Sequence, residues 1–466
     1  MKRIVVVGGG PGGYVAAIRA AQLGAEVHLA ENSRLGGTCL NVGCIPAKAL
    51  LHAAFFYKHA RANRVAGVKI DGVRLDWQAL QQEKQKITDR LAGGVGGLLK
   101  ANKVTVHNGT ASLSAGGQNG LQSVSVNGKA LPAADAVILA TGSVPVKLNF
   151  PGADLPEVID STQALSLKQA PASLLIVGGG VIGVEFASLY AALGSKVTIV
   201  EMAPEILPSF DRQAAVLLRG ALAKASVDVF TGAAFTAVKK SKGGHVVSEI
   251  EVAGEKRTVE SEWVLVAVGR KPCTGGIDLE GAGVKTDRGA AVVDGNFETS
   301  RKGVFAVGDC NAKIMLAHAA SAQGEAAAAY ILEGRHHYNG NVIPGCVYTE
   351  PEIAAVGLTE AQAKERGIDC VCGIFDLSGN GKSLISGDNT GFVKIVADKE
   401  LGEIIGVHMM GPGVTDMIGE AAAVMSMEGV VEDLVRTIHA HPTVNEAIHE
   451  AAQAVFGNAV HWPPRM

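Results

Sequence analysis

Cys39 and Cys44 are the residues whose type and spacing most strongly suggest chemistry. A disulfide needs Cα atoms roughly 4.4–6.8 Å apart, whereas residues five apart in an ideal helix are separated by about 7.5 Å along the axis alone. A bridge between them therefore needs irregular backbone, which Gly43 and Pro46 permit. Such a bridge near a helix start is easily reduced, because the helix dipole stabilises a thiolate. Two unrelated thiols are the alternative, and no second ligand pair nearby supports a metal site.

His441 and Glu446 form a second candidate constellation, in the segment His439-Ala440-His441-Pro442-Thr443-Val444-Asn445-Glu446. Histidine is the natural acid–base group at neutral pH, and a nearby carboxylate orients its ring and stabilises the imidazolium. A dithiol must lose a proton to become a nucleophile, so this pair suits thiol chemistry. The segment alone equally fits a helix-capping turn.

Lys48 and Glu185 complete the set of candidate catalytic residues. Each follows shortly after a motif that places backbone against a cofactor, and each is costly to bury alone. We expect the two side chains to pair with each other beside the bound cofactor. The alternative is that both are solvated helix residues.

An internal repeat supplies the elements that position these residues. Residues 4–13 and 174–183 each combine a short apolar run with G-x-G-x-x-G, followed by an alanine-rich helical stretch and a second strand that ends in an acid. The first glycine makes the tight turn, the second admits a pyrophosphate, the third allows close packing, and the helix N-terminus holds the anion. The acids accept hydrogen bonds from ribose hydroxyls. The predicted dinucleotide-site residues are Gly8, Gly10, Gly13 and Glu31 in the first copy and Gly178, Gly180, Gly183 and Glu201 in the second, 170 residues later.

The residues after Glu201 indicate which nucleotide the second site prefers. Met202 and Ala203 follow it, and no arginine is placed to meet a 2′-phosphate. Since a carboxylate repels that phosphate, we predict NAD rather than NADP.

Three further strands end in candidate cofactor contacts. The apolar runs 136–140 and 264–268 lead into turns at Thr141-Gly142 and Gly269. The two units of the repeat therefore also resemble each other at this strand and turn. The run 303–309 ends at Asp309, which we expect to reach a cofactor hydroxyl. A helix N-cap or turn is the alternative for Asp309.

Composition excludes several classes of protein. Of 466 residues, 47% are hydrophobic and 19% charged, the net charge is −3, and no long Lys/Arg block occurs. These values fit a globular enzyme and argue against a nucleic-acid or membrane partner. The apolar stretches at the N-terminus and at 174–193 are interrupted by glycines of the repeat, so neither is expected to span a membrane. Seven cysteines are too few, and odd in number, for a secreted disulfide framework.

The predicted fold class is α/β, with two Rossmann-like dinucleotide-binding domains and an α+β C-terminal domain for dimerisation. The expected boundaries are 1–148 for the first nucleotide domain and 149–272 for the second. A central domain at 273–342 returns to the first nucleotide, and an interface domain covers 343–466.

These motifs resemble the dihydrolipoamide dehydrogenases of the pyridine nucleotide–disulfide oxidoreductase family. The resemblance runs essentially end to end and is carried by residues 36–48, Val307-Gly308-Asp309 and 439–443. It implies FAD in the first site, NAD in the second, and a homodimer in which His441 enters the partner's active site.

The resemblance also implies a role for each residue. His441, held by Glu446, deprotonates dihydrolipoamide carried by a lipoylated acyltransferase or related carrier protein. The substrate attacks Cys39, and Cys44 lies against the flavin and passes electrons to it and on to NAD⁺. The remaining implied contacts are those of Lys48 and Glu185 with the flavin, Thr38 at the cofactor, and Asp309 with the ribityl chain.

The chain departs from the family pattern at Cys273, where Asn is common, and at Ala30, where a bulkier residue is common. Neither departure touches the redox pair. Other disulfide reductases are the nearest alternatives, but mercuric reductase needs a C-terminal cysteine pair and glutathione reductase needs basic residues for NADP. A soluble transhydrogenase lacks the cysteine pair altogether. A redox-sensing or structural subunit of a multienzyme complex is an alternative from another class. No transit peptide is recognisable, and we expect a cytoplasmic location, with a processed organellar chain as the alternative.

Overall fold

The computed structural model describes residues 1–62, 67–114, 120–241 and 243–463. Short 3-10 helices occupy Gly308–Asn311 and Leu377–Gly379. The α-helices are α1 Pro11–Gln22, α2 Gly37–Val42, α3 Cys44–Ala62, α4 Trp77–Ala101, α5 Ser161–Ala164, α6 Val181–Ala192, α7 Arg212–Lys224, α8 Ala317–Glu333, α9 Glu360–Glu365, α10 Gly381–Ser386, α11 Val414–Ser426, α12 Val431–Arg436 and α13 Glu446–Val455.

The strands among the described residues fall into seven sheets. In chain order they are β1 Arg3–Val7, β2 Glu26–Glu31, β3 Thr105–Asn108, β4 Ala111–Leu113, β5 Val124–Val126, β6 Lys129–Ala130, β7 Ala136–Leu139, β8 Ser143–Pro145, β9 Val158–Ile159, β10 Ser173–Val177, β11 Lys196–Val200, β12 Val227–Phe230, β13 Ala233–Lys240, β14 Val246–Val252, β15 Glu255–Ser261, β16 Trp263–Val266, β17 Arg270–Pro272, β18 Thr286–Asp287, β19 Ala290–Ala291, β20 Val304–Ala306, β21 Gly345–Val347, β22 Glu352–Gly357, β23 Cys370–Asp376, β24 Phe392–Asp398 and β25 Ile404–Gly411.

Two parallel sheets form the nucleotide-binding part of the fold. The first has the order β20-β7-β1-β2-β3, and the second has the order β12-β11-β10-β16-β9. Their central strands are almost wholly apolar and buried, because helices cover one face of each sheet and a three-stranded antiparallel sheet packs against the other. Strand β20 joins the first sheet through β7, so the chain returns to it after completing the second.

The 170-residue repeat is confirmed by the structure. Strand β10 and helix α6 match β1 and α1 residue for residue. The turns also match, because Gly8 has φ +106° and Gly178 has φ +109°, values that favour glycine. The apolar stretch at 174–193 is thus a strand, a turn and a helix rather than one long span.

Helices α2 and α3 together form the one described stretch, Gly37–Ala62, that is long and apolar enough to cross a membrane by length and composition. Core helices of globular proteins pass the same test. Here the stretch is interrupted at Gly43, where φ is −140° and ψ is −116°. Helix α3 then packs against α4 and α6, with Leu50, Leu51 and Ala54 buried in the core.

The C-terminal part is a five-stranded antiparallel sheet with the order β21-β22-β25-β24-β23. Helices α11 and α13 pack on this sheet, and Phe375, Met409 and Ile448 lie in the shared core. A buried ion pair joins the sheet to the second nucleotide unit, with Lys394 Nζ 2.9 Å from Asp211 Oδ2. The predicted α/β fold class with an α+β C-terminal domain is confirmed. The boundaries at 148, 272 and 342 stay predictions.

Candidate active site

The two glycine-rich turns have no room for side chains at their third glycines. A Cβ on Gly13 would lie 1.8 Å from the carbonyl oxygen of Gly8, and one on Gly183 would lie 1.9 Å from that of Gly178. Helices α1 and α6 begin after Gly10 and Gly180, and neither helix has a side-chain cap. The first backbone N–H groups of each helix are therefore available to an anion such as a pyrophosphate.

Cys39 and Cys44 lie on opposite sides of the break at Gly43, Cys39 in α2 and Cys44 at the first position of α3. The predicted irregular backbone is present, and a Cβ at Gly43 would meet the carbonyl oxygen of Thr38 at 2.8 Å. Both cysteines are free thiols in this structure, and the redox-active bridge between them stays a prediction. Their side chains are hydrogen-bonded to each other.

The shared hydrogen bond places the thiolate on Cys44. That bond, helped by the charge of Lys48 and opposed by burial, lowers the pKa of Cys44 to about 7. The same bond, together with burial, raises the pKa of Cys39. Above about pH 7 a thiolate is therefore favoured on Cys44 rather than on Cys39.

Lys48 and Glu185 pair as the sequence predicts. Lys48 Nζ lies 2.7 Å from Glu185 Oε2 and 2.9 Å from Oε1. The backbone N–H of Tyr348 also donates to Glu185 Oε1 at 3.1 Å, and the ammonium group lies 4.6 Å from the centre of the Tyr348 ring. The site thus joins α3, α6 and the C-terminal part of the chain.

One large cavity, with a volume of about 2030 Å³, connects these features. It runs from the first glycine-rich turn past the cysteine pair to the second turn. The predicted site residues that line it are Gly8, Gly10, Glu31, Thr38, Cys39, Cys44, Lys48, Thr141, Gly142, Gly178, Gly180, Glu185, Glu201, Gly269 and Asp309. Gly13 and Gly183 do not line it and shape the turns instead.

The two strand-terminal acids lie in equivalent positions. Glu31 accepts the backbone N–H groups of Gly9 and Ser33 at 2.6 and 2.8 Å. Glu201 likewise accepts those of Gly179 and Ala203 at 2.5 and 2.6 Å. These bonds fix each carboxylate at the cavity edge, where the sequence predicts a ribose contact.

Asp309 does not cap a helix with its side chain. Its Oδ2 accepts the hydroxyl of Ser143 at 2.5 Å, and Arg270 donates to that hydroxyl oxygen and to the Ser143 carbonyl, both at 2.7 Å. Strands β8 and β17, which link the two nucleotide units, carry Ser143 and Arg270. The network holds Asp309 against the cavity.

The structure pairs His441 with Glu446 but does not bring them to the cysteines of the same chain. His441 Nδ1 lies 2.9 Å from Glu446 Oε1, and the N–H of Thr443 donates to Glu446 Oε2 at 2.9 Å. Burial raises the pKa of Glu446, but these two bonds outweigh it and lower the pKa overall. The His441 side chain is 78% exposed, and it does not line the cavity.

Sequence reasoning missed several residues of the cavity wall. Residues 313–318 lie at the start of α8, whose N-cap residue Leu316 makes no side-chain cap. An uncapped alanine-rich helix after a buried strand is the signal that could have found them. Residues 343–346 and Tyr348 also line the cavity, and no local pattern marks them.

Comparison with known proteins agrees with this geometry. The family model described as "Pyridine nucleotide-disulphide oxidoreductase" matches residues 2–324, and that of the family's dimerisation domain matches residues 343–452. The chain belongs to the pyridine nucleotide-disulphide oxidoreductase family.

Several relatives match over nearly the whole chain. A dihydrolipoyl dehydrogenase of Geobacillus stearothermophilus is 42% identical over 98% of this chain and 97% of its own. One of Bacillus subtilis is 41% identical over 98% and 99%. Among solved structures, LpdA of Mycobacterium tuberculosis is 27% identical, with a TM-score of 0.89 and coverage of 97% and 99%. An HOCl-induced flavoprotein disulfide reductase of Escherichia coli is 28% identical, with a TM-score of 0.84 and coverage of 97% and 99%.

Membership of the disulphide oxidoreductases confirms FAD and NAD as the cofactors of this chain. The residues present fit two dinucleotides, because each unit offers an uncapped helix start and a glycine turn facing the cavity. The match to the dimerisation domain supports a homodimer.

Proposed function

We propose that this chain oxidises the dihydrolipoyl group of a carrier protein to its disulfide, with NAD⁺ as the final electron acceptor. The observation that carries the proposal is the position of Cys39 and Cys44. They lie in contact, in one cavity that both glycine-rich turns line. Relatives that match end to end have the name dihydrolipoyl dehydrogenase.

The exchange balances as two thiol–disulfide steps. In the oxidised enzyme a substrate thiolate attacks Cys39 of the Cys39–Cys44 disulfide, and Cys44 leaves as a thiolate. The second substrate thiol then displaces Cys39, which gives the cyclic substrate disulfide and a reduced enzyme pair. Bound FAD supplies the path by which this electron pair passes to NAD⁺.

The pair has a direction because the environments of the two sulfurs differ. Cys44 is the better leaving group, since the charge of Lys48 favours a thiolate there. The ion pair with Glu185 fixes the position of the Lys48 ammonium group. Cys39 is the sulfur that meets the substrate.

His441 accepts the proton of the attacking substrate thiol, and Glu446 orients its ring and stabilises the imidazolium. Its 78% exposure and its absence from the cavity wall support a role in the active site of the second subunit. Homodimerisation therefore completes the site.

A lipoylated acyltransferase or related carrier protein of a multienzyme complex is the proposed partner, and the cytoplasm is the proposed location. The cavity takes a small dithiol arm rather than a protein surface, and the net charge of −3 supports neither a nucleic-acid nor a membrane partner.

The test measures dihydrolipoamide-dependent reduction of NAD⁺ by the purified yellow protein. Cys44→Ser removes this activity, whereas Cys370→Ser, a cysteine of β23 outside the cavity wall, retains it. A colourless protein, or unchanged activity in Cys44→Ser, contradicts the proposal.

A further inference from the structure

A second His–Glu pair lies beside His441. His439 Nε2 is 2.7 Å from Glu420 Oε1, and the His439 side chain is only 6% exposed. The other carboxylate oxygen of Glu420, Oε2, accepts the side-chain amide of Asn445 at 2.9 Å. One carboxylate on α11 therefore binds the chain on both sides of His441.

The segment between α12 and α13 has few other attachments. Ile438 is 96% exposed and His441 78% exposed, so packing of this segment is limited to Val444 against the C-terminal core and the His439 ring against that of His449, with 6.0 Å between ring centres. Asn380 adds one bond from outside, to the carbonyl of Thr443 at 3.1 Å. The bond between the Thr443 hydroxyl and the carbonyl of Ala440 lies within the segment and does not tie it to the domain.

The energies favour Glu420 as the main anchor. Ordering such a segment costs conformational entropy, and a hydrogen bond to a charged group offsets more of that cost than a bond between neutral groups does. The bond with Glu420 raises the pKa of His439 against the opposing effect of burial. Burial raises the pKa of Glu420, but its bonds to His439 and Asn445 outweigh this and lower it. Each partner thus favours the charged form of the other.

We infer that Glu420 is a positioning residue for His441, and that it acts by clamping His439 and Asn445 on either side of it. The inference rests on the proposed function, in which His441 accepts the substrate proton. Glu420 touches neither substrate nor cofactor. Its effect is to hold the His441–Glu446 pair where the second subunit needs it.

The test compares two reactions of the complete enzyme. Oxidation of dihydrolipoamide by NAD⁺ uses His441, whereas reduction of ferricyanide by NADH uses only the cofactor sites. Misplacing a catalytic group by about 1 Å costs roughly a hundredfold in rate. We therefore expect Glu420→Ala to lower kcat for dihydrolipoamide ten- to hundredfold, with KM for NAD⁺ and the ferricyanide rate within twofold of the wild type.

Graded variants separate positioning from general stability. Glu420→Gln keeps one acceptor oxygen, so its kcat for dihydrolipoamide is expected to fall less than that of Glu420→Ala. Asn445→Ala removes the bond on one side of His441 only, so its kcat is expected to lie between those of Glu420→Ala and the wild type. Glu365→Gln, on the exposed face of α9, is the matched control and retains both activities.

The outcomes separate the proposed function of the chain from the positioning role of Glu420. Wild-type enzyme without dihydrolipoamide activity contradicts the proposed function. Active wild type with an equally active Glu420→Ala overturns the positioning role alone. If Glu420→Ala loses both reactions through unfolding, Asn445→Ala decides, and parallel loss of both reactions there also overturns the positioning role.

Discussion

The Lys48 ammonium group and the Glu185 carboxylate are 137 residues apart in the chain, yet their atoms approach to 2.7 Å beside the cysteine pair. Glu185 is almost fully buried, with 5% of its surface exposed. A buried carboxylate needs a partner, and Lys48 together with the Tyr348 N–H supplies it.

Lys48→Met is expected to leave Glu185 buried without its counter-charge. Loss of a fully buried partner costs about 3–5 kcal/mol, and we expect about 2 kcal/mol here because the Lys48 side chain is 30% exposed. Urea unfolding measures this loss. The double variant Lys48→Met/Glu185→Gln is expected to recover at least half of the lost unfolding free energy. No recovery contradicts the explanation that the loss comes from the unpaired Glu185 charge.

The thiolate of Cys44 sets the pH dependence of its reactivity. Because the hydrogen bond from Cys39 lowers the pKa of Cys44 to about 7, the thiolate persists above that pH and protonates below it. Alkylation of the reduced enzyme by iodoacetamide should therefore fall about tenfold for each pH unit below 7. Peptide mass spectrometry follows the label, with Cys310 as a slow reference since burial raises its pKa to about 11.

Cys39→Ala tests the cause of that shift. Without the Cys39 donor, the midpoint of Cys44 alkylation should move to higher pH. An unchanged midpoint means that Lys48 alone sets the pKa of Cys44.

Two glycine variants should separate the cofactor sites. In Gly13→Ala the new methyl group meets the Gly8 carbonyl at 1.8 Å, so the protein should purify without yellow colour. In Gly183→Ala the clash is with Gly178, so the protein should stay yellow and lose reaction with NADH.

Gly220→Ala is the control for these variants. Its Cβ enters open space within α7, so both cofactor sites stay intact and stability rises by at most about 1 kcal/mol. Loss of flavin from Gly183→Ala contradicts the assignment of the two sites.

The buried pair of Lys394 and Asp211 should join the second nucleotide unit to the C-terminal sheet. Both side chains are less than a tenth exposed, so Lys394→Met is expected to destabilise the fold by about 3 kcal/mol. Thermal unfolding measures this. The double variant Lys394→Met/Asp211→Asn keeps a side-chain cap on α7 and should be more stable than Lys394→Met alone. An equal loss of stability in both variants contradicts the explanation by the buried ion pair.

The sequence alone determined the two nucleotide units. Their strands, glycine turns and terminal acids are local patterns, and the positive φ at Gly8 and Gly178 leaves glycine as the favoured residue. The proximity of Cys39 and Cys44 was also predictable, because they are only five positions apart and Gly43 interrupts the helix.

Apart from the predicted pair of Lys48 and Glu185, the contacts between residues far apart in the chain were decided only by the tertiary structure. The Tyr348 N–H donates to Glu185, Ser143 donates to Asp309, and Arg270 in turn donates to Ser143, and no local sequence pattern predicts these partners. Pairing and burial across domains depend on the global packing of apolar faces, which a local pattern does not encode. The structure also shows that His441 does not line the cavity of its own chain. Glu420 binds His439 and so positions the segment around His441 for the active site of a second subunit.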